Sequence, residues 1–181
     1  MSFRKDYLDY SEPVDYTNPH FGIGIDFTEK SESETKKLFH KVLDNGMHGL
    51  CFSLYEDGQQ PGDTISEEQV RRRMKIIAPY IKWIRSFSCT EGNEFIPKIA
   101  REFGIKTLVG AWLGDDEEKN LKEIEALIKL SNEGFVDIAA VGNEVLYRNE
   151  LTEDQLLDFI LKVKKEIPSN IPIGYVDAYY E

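Results

Sequence analysis

Short apolar runs rich in β-branched residues alternate with longer runs of helical period from about residue 47 onward. Each short run predicts a strand, and each longer run predicts a helix that follows it. Such an alternation is typical of βα units in a parallel sheet. The predicted strands are Gly49–Leu54, Trp83–Ser88, Thr107–Trp112, Val136–Val141 and Pro172–Val176.

Helix start and stop signals lie between the predicted strands. Ser66 with Gln69, and Thr152 with Gln155, have the spacing of capping boxes at helix N-termini. A predicted helix around residues 94–103 ends at Gly104, a natural C′ residue. Helical spacing predicts a buried stripe on each of the last two helices, formed by Leu121, Ile124, Leu127 and Ile128 and by Leu156, Phe159, Ile160 and Val163.

The fold class predicted from this pattern is α/β. Five βα units in series without a Gly-rich phosphate loop favour a (β/α)₈ TIM barrel over a doubly wound sheet. A complete barrel takes about 250 residues, and the chain has 181. We therefore expect an incomplete barrel over residues 31–181, with about five of the eight βα units.

The chain before the first predicted strand is expected to differ from the barrel. Glu34–Leu43 predicts a helix that ends at Asn45–Gly46. Gly22–Phe27 is a strand candidate, which its two glycines weaken. Residues 1–30 are predicted to form an N-terminal extension of the barrel.

Charge and hydropathy narrow the range of partners. The formal net charge is -11, and an acidic surface repels nucleic acid and anionic membranes. A neutral ligand such as a sugar is compatible with this charge. No apolar run approaches the roughly 18 residues of a membrane span, and the charged start lacks the apolar centre of a signal peptide. The sequence as written therefore predicts a cytoplasmic location.

Cysteine and histidine are sparse. Cys51 and Cys89 lie in predicted strands or at strand ends, and two reduced thiols are favoured over one disulfide. Their spacing does not indicate a metal site, and the three histidines form no helical pair.

The segment that carries most chemical information follows the fourth predicted strand. Asn143 and Glu144 end an apolar strand, and barrel strands point their C-terminal ends at the active-site face. A carboxyl group there can protonate the leaving oxygen of a glycoside, and a neighbouring amide can bind a sugar 2-hydroxyl. An Asn–Glu pair by itself is more often a cap or a surface loop. Its place at the end of a buried strand leaves the two interpretations evenly matched.

Five segments resemble glycoside hydrolase family 17, the β-1,3-glucanase family, in order and in spacing. They are Gly49–Tyr55, Trp83–Cys89, Leu108–Trp112, Val141–Tyr147 and Ile171–Asp177. The amino-acid sequences of these segments resemble those of bacterial members more than those of plant members. The segment Val141–Tyr147 is the most specific of the five.

The resemblance implies that Glu144 is the general acid/base. It further implies that Arg85 orients cleft carboxylates by bidentate contact and that Trp112 stacks on a sugar. The substrate-binding residues it implies are Asn143, Tyr55, Arg85, Trp112, Tyr147, Asp177 and Tyr179. Without the resemblance, Trp112 and Tyr55 are more often core or rim residues, Arg85 pairs a structural carboxylate, and Asp177 caps a turn.

The implied reaction is retaining hydrolysis of a β-1,3-glucan such as laminarin, with no metal or organic cofactor. The family's second glutamate, the nucleophile, lies in a Glu-x-Gly-Trp-Pro-like segment that this sequence lacks. Asp177 and Glu181 are stand-ins that do not match its position. The alternatives are a glucan transglycosylase, an inactive half-barrel that at most binds glucan, and, more weakly, an unrelated barrel enzyme for phosphorylated substrates. Open barrel edges also predict self-association.

Overall fold

The computed structural model describes residues 29–177. The chain separates into two compact units, Met1–Lys41 and Val42–Glu181. The predicted domain boundary at residue 30 stays a prediction. The strand candidate Gly22–Phe27 and the site candidate Tyr179 lie outside the described residues.

Five parallel strands form one sheet, and helices alternate with them along the chain. The strands are β1 (Met47–Cys51), β2 (Ile81–Arg85), β3 (Lys106–Ala111), β4 (Ile138–Asn143) and β5 (Ile173–Val176). The helices are α1 (Glu32–Asn45), α2 (Glu67–Ile77), α3 (Phe95–Glu102), α4 (Glu117–Asn132) and α5 (Glu153–Glu166), and a 3₁₀ turn spans Ala78–Tyr80.

The strands pair in chain order, β1-β2-β3-β4-β5, and every pairing is parallel. A doubly wound sheet reverses its strand order at a switch point, and this sheet has no reversal. The predicted α/β class and parallel sheet are confirmed. Each predicted strand overlaps an observed strand.

Two capping boxes were predicted, and one forms completely. At α5, the Thr152 hydroxyl accepts from the Gln155 N–H while the Gln155 side chain accepts from the Thr152 N–H. At α2, Ser66 accepts from the Gln69 N–H, but the buried Gln69 side chain donates to the Leu54 carbonyl oxygen at 2.9 Å. The capping box at α2 is therefore only half formed, because the Gln69 side chain bonds the Leu54 carbonyl oxygen, just after β1, instead of returning to the helix start.

The buried face of α4 differs from the predicted stripe. Ile124 and Leu127 are buried as predicted, but Leu121 is 42% exposed. Two polar residues, Asn120 and Glu123, are buried on this helix instead. They can be buried because partners elsewhere in the chain satisfy their side chains; the Asn120 amide, for instance, bonds both the N–H and the carbonyl oxygen of one loop residue.

Two apolar clusters pack helices against the sheet. The first joins α4 and α5 to β3 and β4, and its buried members include Val109, Val141, Ile124, Leu127 and Val163. The second joins α2 and α3 to β2, and its buried members include Ile84, Val70, Met74, Ile96 and Ile99.

Cys51 and Cys89 are free thiols, as predicted, and burial raises the pKa of Cys89. Over residues 29–177, no helix has both the length and the apolar character that crossing a membrane requires.

Two strand glycines provide a matched test of sheet packing. A Cβ atom at Gly110 in β3 would lie 2.9 Å from the Ser86 carbonyl oxygen, whereas one at Gly174 in β5 would meet nothing within 4 Å. We expect Gly110→Ala to lower the free energy of unfolding by about 1–3 kcal/mol through overpacking. Gly174→Ala is expected to change it by less than about 1 kcal/mol.

Urea unfolding followed by circular dichroism measures both variants. Equal losses of stability in the two variants would contradict the close approach of β2 to β3 at Gly110.

Candidate functional site

The C-terminal ends of the five strands lie at the same end of the sheet, because every pairing is parallel. Arg85 and Asn143 are the last residues of β2 and β4, and Trp112 directly follows β3. Tyr55 and Asp177 come shortly after β1 and β5. The sequence-predicted residues within the described range therefore all lie at one end of the sheet.

Glu144 occupies an unusual backbone conformation directly after β4. Its φ is 53°, in the left-handed region, which costs a non-glycine residue about 1–2 kcal/mol. Its N–H donates to the Val176 carbonyl oxygen at 2.7 Å, and its own carbonyl oxygen accepts from the Arg148 N–H at 2.9 Å. These two bonds hold the conformation, and the Glu144 side chain is exposed. Strain of this kind is often found at functional sites.

Arg85 and Asn143 meet although their strands are not neighbours. The Arg85 Nη2 donates to the Asn143 Oδ1 across β3, and the Arg85 guanidinium lies 4.6 Å from the Phe87 ring centroid. The expected bidentate contact of Arg85 with a carboxylate is not formed within residues 29–177, because the acceptor in its reach is this amide. The Arg85 Nε is buried without a partner in the described part of the chain.

Arg148 connects the ends of β3 and β4. Its Nη1 donates to the Asn143 carbonyl oxygen at 2.5 Å, and its Nη2 donates to the Leu113 carbonyl oxygen at 3.0 Å. Its Nε and Nη2 also donate to Glu150 Oε2, at 2.8 and 2.6 Å. The guanidinium carbon lies 4.6 Å from the Trp112 ring centroid. Sequence reasoning assigned Arg148 no role, and its place in the turn after β4 was its only signal.

The contacts around Arg148 favour its charged form and hold its side chain in place. The hydrogen bond to Glu150 raises the pKa of Arg148, while burial opposes that shift. Trp112 remains 43% exposed although Arg148 stacks on its ring. The indole is thus held by a cation while part of its surface stays open to solvent.

Tyr175 connects the end of β5 to the turn that carries Glu144. Its hydroxyl donates to Asp177 Oδ2 and accepts from the Leu146 N–H at 3.0 Å. Burial, together with the bond to Asp177, raises the pKa of Tyr175 to about 12. Asp177 is therefore held beside this turn, where the exposed Tyr147 also lies.

Tyr55 belongs to a different group of contacts. Burial raises the pKa of Tyr55, and the nearby Asn93 side chain, in the loop after β2, opposes that shift. The nearby carboxylates of Glu91, Asp63 and Glu123 raise its pKa further. The structure thus groups Arg85, Asn143, Trp112 and Asp177 around the turn after β4 through Arg148 and Tyr175. Tyr55 lies with the loop after β2.

Glu123 of α4 is a buried carboxylate that the sequence pattern did not reveal. Its Oε1 accepts from the hydroxyls of Ser88 and Thr90, both at 2.5 Å. Its Oε2 accepts from the N–H groups of Cys89 at 2.8 Å and Trp112 at 3.1 Å. Burial raises the pKa of Glu123, and these hydrogen bonds partly offset that shift.

The raised pKa of Glu123 gives stability a defined pH dependence. The folded protein binds the Glu123 proton more tightly than the unfolded chain, so this contribution is complete at low pH and is lost as pH rises through the folded pKa. We expect the unfolding free energy of the wild type to fall relative to that of Glu123→Gln as pH rises from the ordinary glutamate pKa of about 4 through the raised pKa of the folded protein.

Urea titrations of both proteins across that pH range measure the difference. A difference that is constant with pH, or one that changes in the opposite direction, would contradict this assignment.

Arg148→Lys tests the link between the strand ends. Lysine keeps the charge but cannot reproduce the fork of donors that reaches two carbonyl oxygens and a carboxylate. We expect the free energy of unfolding to fall by about 1–3 kcal/mol and the tryptophan emission to change. Arg72→Lys, at an exposed ion pair with Glu56, is the control and should leave both nearly unchanged. Equal behaviour of the two variants would exclude a special role for Arg148.

Residues 29–177 contain no group of three His, Cys, Asp or Glu side chains arranged to hold a metal ion.

Comparison with solved structures shows a related fold. The chain is similar to an active-site mutant of Rhizomucor miehei β-1,3-glucanosyltransferase in complex with laminaritriose. The TM-score is 0.63 at 22% sequence identity, and the match covers 76% of this chain and 52% of that one.

Two curated relatives are glucan 1,3-β-glucosidases. The protein of Schizosaccharomyces pombe is 28% identical over 164 residues, which are 83% of this chain and 49% of the relative. The protein of Arthroderma benhamiae is 36% identical over 140 residues, which are 76% of this chain and 44% of the relative. The chain thus spans about half the length of the curated relatives it matches.

A family model for the BtgE/BtgC glycoside hydrolase domain matches residues 49–181, which include the last three residues of β1, all of β2 to β5 and every candidate site residue. The chain belongs to the BtgE/BtgC glycoside hydrolase domain family.

Proposed function

We propose that the chain is a catalytic part of a retaining glycoside hydrolase that acts on β-1,3-glucan, with Glu144 as general acid/base. The observation that carries this proposal is the Glu144 backbone, held in the left-handed region at the end of β4 with its carboxyl group exposed. The names of both curated relatives support the substrate class. The proposal includes membership of glycoside hydrolase family 17, as a bacterial-type member.

The proposed architecture is a (β/α)₈ barrel, of which residues 29–177 supply five strands. Parallel pairing in strict chain order supports this proposal, since barrel strands follow one another in that way. The likeness to a solved glucanosyltransferase fold also supports it. Self-association through β1 and β5, the outer strands of the described sheet, stays a prediction.

Each side chain has a proposed part in the chemistry. Glu144 donates a proton to the leaving oxygen as the sugar becomes oxocarbenium-like, and it later removes a proton from the attacking water. The bond from Arg85 to the Asn143 Oδ1 orients that amide so that its Nδ2 can donate to a sugar hydroxyl. The open surface of Trp112 supplies an apolar plane for a sugar face, while Arg148 holds the ring in place.

Retention needs a second carboxylate about 5–5.5 Å from the acid/base, on the other side of the anomeric carbon. Asp177 accepts the Tyr175 hydroxyl, and this contact favours a positioning role for it. The nucleophile is assigned to none of residues 29–177. The Arg85 Nε, which has no partner among these described residues, lies at the end of β2 and is a donor that could orient such a carboxylate.

Transglycosylation is the second candidate. It differs only in the last step, where a sugar hydroxyl replaces water, and the solved neighbour is a β-1,3-glucanosyltransferase. Product analysis on laminari-oligosaccharides separates the two activities, because transfer yields products longer than the substrate.

Glu144→Gln tests the general acid role. With laminaritriose as substrate, we expect the hydrolysis rate to fall by about 10²–10⁴-fold, since an amide cannot protonate the leaving oxygen. With a 2,4-dinitrophenyl β-laminaribioside, the leaving group needs little protonation, so the loss in glycosylation should be much smaller. Reducing-sugar release and dinitrophenolate absorbance follow the two reactions.

Glu153→Gln is the matched control, because Glu153 is an exposed glutamate at the start of α5. It should leave both rates unchanged. Equal residual rates for the wild type and Glu144→Gln on both substrates would favour the alternative, a non-catalytic domain that at most binds glucan.

A further inference from the structure

The candidate site residues form two groups, and hydrogen bonds within residues 29–177 do not join them directly. Trp112 belongs to the group around Arg148, and Tyr55 lies beside Asn93. We propose that Glu123 is a positioning residue that joins the two groups and fixes the Trp112 indole in its place. The sugar-binding consequence of this inference rests on the proposed function.

The first step is the contact with β3. Glu123 Oε2 accepts the Trp112 N–H, while Arg148 stacks on the Trp112 ring. The residue is therefore held at its backbone by one charged group and at its ring by another. A large, 43% exposed aromatic side chain would otherwise be free to change rotamer.

The second step leads from Glu123 to Tyr55. Glu123 Oε1 accepts the Thr90 hydroxyl, and the Thr90 carbonyl oxygen accepts the Asn93 Nδ2 at 2.9 Å. The Asn93 side chain lies close enough to the Tyr55 hydroxyl to lower its pKa. Hydrogen bonds thus run from the Trp112 N–H, just after β3, through Glu123 and Thr90 to Asn93, which neighbours Tyr55.

The third step is the chemical nature of the Glu123 side chain, which is a buried carboxylate. Glu123 is only 5% exposed, and none of the ion pairs in the described range includes it. Burying a carboxylate without a counter-ion is costly, whereas apolar residues would pack α4 on the sheet without that cost. Four donors from two separate loops make a carboxylate suitable here, because each of its oxygens binds two of them.

The experiment reads the position of Trp112 without any sugar. In a Trp83→Phe background, Trp112 is the only tryptophan, so acrylamide quenching and the indole NMR signal report on it alone. We expect Glu123→Ala to raise quenching and to shift or broaden the indole signal. Glu123→Gln should restore most of the wild-type behaviour, because its amide can accept both N–H groups and donate to both hydroxyls.

Two controls separate positioning from general destabilisation. Glu125→Ala changes an exposed glutamate of the same helix, and Val163→Ala opens the buried core at α5. Neither should move the Trp112 signals. Thr90→Val removes only one of the two hydroxyl groups that donate to Glu123, so it provides a milder variant if Glu123→Ala does not fold. This variant should alter the Asn93 and Tyr55 NMR signals.

Laminaritriose binding by calorimetry supplies the second readout. Glu123→Ala is expected to weaken binding by about tenfold or more, whereas Val163→Ala should bind as the wild type does. Trp112 signals that Glu123→Ala leaves unchanged, or changes only as much as Val163→Ala does, would overturn the positioning role. A wild type that binds no laminaritriose would count against the proposed function, and the Trp112 signals would still decide the role of Glu123.

Discussion

The candidate site depends on parallel pairing of the strands, because parallel strands bring residues from five separate βα units to one end of the sheet. The apolar packing of α4 and α5 on β3 and β4 makes this arrangement stable. The same packing buries β3 up to its last residue, Ala111, and the carbonyl oxygens and N–H groups just beyond it then need partners.

Two charged side chains supply many of those partners. Arg148 donates to the carbonyl oxygens of Leu113 and Asn143, and Glu123 accepts the N–H groups of Cys89 and Trp112. Each charged group therefore satisfies backbone atoms from two different segments at once. Such fixed contacts preorganise the residues that would meet a substrate, so that little reorganisation is needed when it binds.

The sequence predicted the parts of the structure that arise from local pattern. Periodicity predicted the strands, and the Asn143–Glu144 pair at a strand end indicated a candidate site, because both signals lie within a few consecutive residues. The buried face of α4 was missed at Leu121 and Glu123, since three of the four donors that satisfy the buried carboxylate of Glu123 lie 33 to 35 residues away in the chain. The linking role of Arg148 and the separate place of Tyr55 likewise arise from tertiary contacts that no local pattern contains.

The most direct test of a sugar site at the strand ends is NMR chemical-shift mapping with laminaritriose. The backbone amides of Trp112, Asn143 and Glu144 and the indole of Trp112 should shift together and saturate at one ligand concentration. The exposed outer faces of α2 and α5 should remain unchanged. Shifts confined to the opposite end of the sheet, or to the outer helices, would contradict an active site built on Glu144.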